Sequence, residues 1–188
     1  MVKPRITPVE RHRRAPLNID TVPIALLDDP LEYILADHVR QRSVCAALHD
    51  FADQGRAGRA ESGKVTAFLT QDRLIHHADE EEDLFPAVRR RSLPEDDLGA
   101  LLARLCDEHR RSDAAVAGIV AALSAPPDRD PIRIGAAGGA LMQTYCADER
   151  RHLAIENWVV LVIAAIRLSR GDLRAMSRTM KARRGLPA

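Results

Sequence analysis

The sequence predicts an all-α fold, an antiparallel up-down-up-down four-helix bundle followed by a short extra C-terminal helix. Three observations predict it. Four long stretches repeat apolar residues at helical spacing. No stretch alternates with period two over a useful length, so strands are not expected. Ala, Leu, Arg and Glu are abundant and aromatics are only 3%, a mixture that favours helix.

Residues 1–24 combine Pro and Arg with few apolar anchors and read as a flexible basic tail. Its Arg11-His12-Arg13-Arg14 cluster reads as solvated. In the first helical stretch Leu31, Ile34, Leu35, His38, Cys45 and Leu48 share a face; Pro30 suits its first turn, and Gly55 and Gly58 follow its end. The second runs from about Glu61 to Arg90, with Phe68, Leu69, His76, Glu80, Leu84 and Val88 on one stripe and a bend expected at Pro86. Ser92-Leu93-Pro94-Glu95 then breaks the chain and starts a new helix.

The third stretch carries Leu98, Leu101, Leu102, Leu105, His109, Val116, Ile119, Val120 and Leu123 and stops before Pro126-Pro127. The fourth begins near Pro131 and reaches about Ser169, with Leu141, Tyr145, His152, Ile155, Val159 and Ile163 on its stripe. Gly138-Gly139 is expected to loosen its first half. Gly171 ends it, and Asp172 caps a basic surface helix, Leu173 to Arg184. Residues 25–170 thus form the bundle and 171–188 a short basic helix and tail. Short connections make successive helices antiparallel neighbours.

Several function classes are excluded. The net charge is +1, so no global field draws nucleic acid or an acidic membrane. The longest apolar run, Trp158 to Ile166, is too short to span a bilayer. The three cysteines, Cys45, Cys106 and Cys146, are an odd number without a CxxC pair, which points to a reducing cytoplasm. Met1 to Leu17 lacks the apolar centre of a signal peptide. Trp158 and Phe85 read as core packing; Tyr145, nearly two turns before His152 on the same stripe, reads first as core packing and second as a residue that reaches the site. The oligomeric state is left open.

The histidines carry the chemistry. Five of the seven, His38, His76, His77, His109 and His152, lie on or beside the apolar stripes, with at least one from every helix. Glu80 follows His76 at i+4 and Glu156 follows His152 at i+4, so one helix face offers a nitrogen and a carboxylate together. His77 and Glu81 allow a similar pair. Five imidazoles and two carboxylates buried without a cation leave many polar groups in need of partners.

Imidazole with carboxylate, and no thiolate set, suits iron better than structural zinc. With both carboxylates bridging two ions, about nine protein contacts and two from a bridging oxygen leave roughly one of about twelve positions open. A metalloprotease helix would need a histidine at Leu105, ahead of Glu108-His109. Ferritin-like sites use Glu-x-x-His instead of His-x-x-x-Glu.

The run His76-His77-Ala78-Asp79-Glu80-Glu81-Glu82-Asp83-Leu84-Phe85-Pro86 resembles the HHxxEExxLFP motif of the hemerythrin HHE cation-binding family. His152-Leu153-Ala154-Ile155-Glu156-Asn157 is similar to its last-helix HxxxE motif, Glu108-His109 to its third-helix EH, and His38 with Arg40 to its first-helix histidine. Met180 to Gly185 resembles the C-terminal end of many bacterial members. The resemblance covers roughly residues 24 to 185 and implies a hemerythrin-like bundle around two non-haem Fe ions, oxo- or hydroxo-bridged.

It implies His38, His76, Glu80, His109, His152 and Glu156 as ligands, with His77 added at a position whose role varies among relatives. Oxygen carriers have HxxxH in the third helix, where this chain has Leu105. The acid four residues after His152 matches the non-carrier branch. The resemblance therefore implies binding or sensing of O2, NO or iron, or an enzyme acting on peroxide or NO or repairing damaged iron centres.

Overall fold

The computed structural model describes residues 19–126 and 129–187. The Arg11 to Arg14 cluster and most of the expected N-terminal tail lie outside these residues. A 3₁₀ turn, Ile24–Asp28, leads into α1, Pro30–Gln54. Asp29 caps α1 by accepting from the Glu32 amide at 3.3 Å. Gly55 ends it in the left-handed region at φ 62°, where a side chain would be strained.

The second helix, α2, is continuous but not uniform. Its α-helical segments Arg59–Ala67, Arg73–Ala78 and Phe85–Arg91 are separated by π turns at Phe68–Asp72 and Asp79–Leu84. Pro86, which lacks an amide proton, falls where the helix leaves the second π turn. After a 3₁₀ turn at Pro94–Asp96, α3 spans Gly99–Leu123. The fourth helix, α4, comprises Ala136–Ile155, a π turn Glu156–Val160 and Leu161–Arg167. A fifth, α5, spans Arg170–Arg183.

The structure corrects four expectations. Strands were excluded, yet β1, Arg56–Ala57, pairs antiparallel with β2, Ile132–Arg133, and this clasp delays the start of α4 to Ala136. Two-residue strands are too short to show alternation. Second, Gly138 does not loosen α4. A Cβ there would stand 2.9 Å from the Ala122 Cβ, so the bare backbone lets α3 and α4 approach closely.

Third, Gly171 lies inside α5, not at the end of α4. The cap is Ser169, whose hydroxyl accepts from the Asp172 amide at 3.2 Å while Asp172 accepts from the Ser169 amide at 3.0 Å. Met176 and Met180 of α5 are buried, so this helix contributes to the core. Fourth, Trp158 is 78% exposed, not core. The π turn that contains it adds a residue and shifts the helix phase. The buried line therefore runs His152, Glu156, Val160, Ala164, and Ile155, Val159 and Ile163 are only half-buried.

The apolar core comes in two blocks. One holds Ile34, Leu84, Leu102, Leu105, Val160 and Met180; the other holds Val44, Phe51, Leu69, Ile119, Met142 and Cys146. Each long helix crosses from one block to the other, and residue numbers rise in opposite directions on successive helices, as an up-down-up-down bundle requires. At the crossing level the buried residues are polar: His38 on α1, His76 and Glu80 on α2, His109 on α3, His152 and Glu156 on α4. Burying charge between apolar blocks is costly unless it is compensated, so this layer needs a physical explanation.

Candidate metal centre

Four imidazoles converge through the same ring nitrogen. Nε2 of His38 lies 3.2 Å from Glu80 Oε1 and 3.6 Å from Glu156 Oε2. Nε2 of His76 lies 3.3 Å from Glu80 Oε2. Across the layer, His152 Nε2 is 3.0 Å from Glu156 Oε1, and His109 Nε2 is 3.5 Å from Glu80 Oε2. Two sets of four follow: His38, His76, Glu80 and Glu156, and Glu80, His109, His152 and Glu156, each with ligand atoms within 4.8 Å of one another. The two carboxylates belong to both sets. Each lies in the first two residues of a π turn, Asp79–Leu84 or Glu156–Val160, a distortion frequent at functional sites.

The other ring nitrogens are held from outside. His76 Nδ1 lies 3.2 Å from Asp37 Oδ2. His109 Nδ1 pairs with Glu81 at 2.7 Å, and His152 Nδ1 with Glu108 at 2.9 Å. His38 Nδ1 donates to Asn157 Oδ1 at 2.6 Å. These four contacts form a ring around the bundle. A residue of α1 orients a histidine of α2, α2 orients α3, α3 orients α4, and α4 orients α1. A carboxylate or amide behind an imidazole fixes its tautomer and aims Nε2 inward. The ring continues outward at Asp37, which accepts from Arg40 at 2.6 Å, and Arg40 also reaches Asp72 at 2.5 Å.

Sequence reasoning did not assign an orienting role to Asp37, Glu81, Glu108 or Asn157. A signal for them was present. Each stands next in the chain to an inward-facing residue: Asp37 to His38, Glu81 to Glu80, Glu108 to His109, Asn157 to Glu156. Adjacent residues on a helix point about 100° apart, so a neighbour of a ligand faces the next helix.

His77 is brought into neither set. Its ring stacks on His109 with centroids 3.8 Å apart and planes at 11°. Its Nδ1 lies 3.4 Å from the Arg73 guanidinium, which is donor-only, so that nitrogen accepts. Burial, then the His109 and Arg73 charges, hold its basicity far below the usual imidazole range. Arg73 is fixed by Ser112 at 2.8 Å and Asp113 at 2.6 Å.

The donor set fits metal cations. Glu80 Oε2 and both carboxylate oxygens of Glu156 are buried without a hydrogen bond. His109 Nε2 and His152 Nε2 face each other at 2.9 Å, a contact that needs a proton or a cation between the two lone pairs. Without metal, protons do part of this work. Burial opposes charge on His76, but Glu80 overrides it and raises the imidazole to about 10. His152 is likewise raised to about 10 against burial, chiefly by Glu156. Burial also opposes charge on Glu80, yet His76 and His38 hold its carboxyl well below the ordinary value.

Outside the layer, Asp79 is fully buried and is gripped by Arg183 and by Arg184, whose Nη2 lies 2.5 Å from Oδ2. The segment that carries Glu80 is thus tied to α5.

Among known proteins, the model of the family described as Hemerythrin HHE cation binding domain matches residues 29–164. No curated protein and no solved structure matches the chain.

Proposed function

The chain belongs to the hemerythrin HHE cation-binding family and is a metal-binding protein of that type. From that premise we propose that it is a non-haem di-iron protein that binds or senses O2, NO or iron. The observation that carries this reading is the sharing of Glu80 and Glu156 by two sets of ligands. One ion would take His38 and His76, the other His109 and His152, and both carboxylates would bridge.

That division gives each ion about four protein donors of the six that iron commonly accepts, so positions remain for a small ligand. His77 is left out of this division, since neither group of four includes it and its Nδ1 lies 3.4 Å from the Arg73 guanidinium. When bound, iron supplies reversible one-electron chemistry and a Lewis-acidic site. The chain's own residues do the rest: four imidazoles hold Nε2 inward, and the outer ring holds them there. Leu105, fully buried, occupies the place of a further third-helix histidine, which separates this site from an oxygen carrier's. The cytoplasm is the proposed compartment, supported by three unpaired thiols at Cys45, Cys106 and Cys146.

The test is metal analysis of protein produced with ample iron. The expected result is about two iron atoms per chain and an oxygen-to-iron charge-transfer band, both lost in Glu80→Ala. One metal per chain, or zinc alone after iron-replete production, contradicts the reading.

An enzyme acting on peroxide is the second reading, favoured by a cavity that borders the centre at His109 and His152.

A further inference from the structure

Between α3 and α4 lies a cavity of about 150 Å³, with His109 and His152 in its wall. Ser112, Thr144, Tyr145 and Glu149 also line it, together with the charged Glu108, Arg111, Asp148 and Arg151. Thr144 is exposed, so the cavity opens to solvent on that side. Glu149 is only 7% exposed. It stands one turn before His152 on α4, and among the described residues it has no hydrogen-bond or ion-pair partner. The hydroxyl of Tyr145, 5% exposed, has none either. A buried carboxyl and a buried phenol facing a cavity without protein partners are satisfied by what occupies the cavity.

The rest of the surroundings agrees. Around Glu149 stand His152 and Glu156 on its own helix, His76 on α2 and His109 on α3. Burial raises its carboxyl above the ordinary value, the direction that favours a proton on it. Glu149 lies outside both ligand sets. An apolar diatomic gas would leave both polar groups unsatisfied. A hydroperoxide, with one O–H donor and two oxygen acceptors, satisfies both, and the cavity admits a molecule of a few non-hydrogen atoms.

We infer that this cavity is the binding pocket for a small hydroperoxide at the His109/His152 half of the centre, with Glu149 as the proton donor to the departing oxygen. The inference rests on the di-iron reading, because the electrons come from the centre. The O–O bond breaks. Two ferrous ions give one electron each and become ferric, and two protons complete the balance, yielding water from H2O2 or water plus an alcohol from an alkyl hydroperoxide. Glu149 gives one proton and regains it from solvent through the cavity mouth. Solvent gives the other. A one-electron donor resets the ferric ions.

The experiment uses the full iron-loaded chain, reduced anaerobically and mixed with H2O2, in wild type, Glu149→Gln and Ala115→Phe. Ala115 lines the cavity, so the phenyl ring fills it without removing a carboxyl. Both variants are expected to keep wild-type iron content and optical bands. Oxidation by H2O2 is expected to slow about a hundredfold in Glu149→Gln, the scale of a lost general acid, and to slow in Ala115→Phe through exclusion. The infrared carbonyl band of a protonated carboxyl is expected in wild type and absent from Glu149→Gln. Wild-type oxidation rates in both variants overturn the inference while leaving two irons in place. Loss of iron from Glu149→Gln also overturns it, since the residue then belongs to the metal-holding set. Wild-type protein that takes up no iron fails earlier, at metal analysis, and removes the di-iron reading together with this one.

Discussion

The orienting ring makes single residues testable apart from the ligands they serve. Glu108→Gln and Asn157→Ala leave every proposed ligand in place but release the tautomer and aim of His152 and His38. Each is expected to weaken metal binding about 10- to 100-fold with little change of fold, measured by competition with a chelator. Protonation gives a second prediction. In the metal-free chain His76 and His152 are both raised to about 10. Their contribution to stability is therefore complete below the ordinary imidazole value of about 6.5 and is lost as pH rises through about 10. Denaturant titration of metal-free protein across that window should show falling stability. Constant stability contradicts the proton-for-metal account. The inward residues were legible in the sequence because histidine and glutamate on an apolar stripe stand out. Their outer partners were hidden, because a carboxylate or amide beside a ligand looks the same whether it meets water or the next helix. His77 was drawn into the proposed set by its neighbour His76, although one residue turns its ring to a different partner.

At the scale of elements, the long helices, their order and most of their buried stripes were readable from periodicity. The π turns were not, since one inserted residue leaves no mark in composition but moves every later side chain around the axis. Trp158 shows the consequence. Trp158→Ser should change stability by less than about 0.5 kcal/mol, whereas Leu153→Ala, at a fully buried position, should cost about 2–5 kcal/mol. Two glycines separate propensity from packing. A Cβ at Gly63 in α2 meets nothing within 4 Å, so Gly63→Ala should stabilise by about 0.5–1 kcal/mol. Gly138→Ala gains the same propensity but drives a methyl into Ala122, and should give a lower melting temperature than Gly63→Ala. The terminal helix α5 read as a surface element because its arginines dominate. Its two methionines and the buried Asp79 between Arg183 and Arg184 join it to the bundle.

At the scale of the whole molecule, a polar layer divides the apolar core into two blocks joined by four antiparallel helices. No helix of the described residues is long and apolar enough to cross a membrane. A ligand that binds only the native state stabilises it by mass action, about 2.7 kcal/mol at a hundredfold excess over Kd. Metal should therefore raise the melting temperature of wild type and leave that of Glu80→Ala almost unmoved. The most direct test of the shared-carboxylate centre is anomalous diffraction at the iron edge from crystals of the iron-loaded chain. The account predicts two peaks, one beside His38 and His76 and the other beside His109 and His152, with Glu80 and Glu156 contacting both. A single peak, or iron bound away from these two carboxylates, contradicts it.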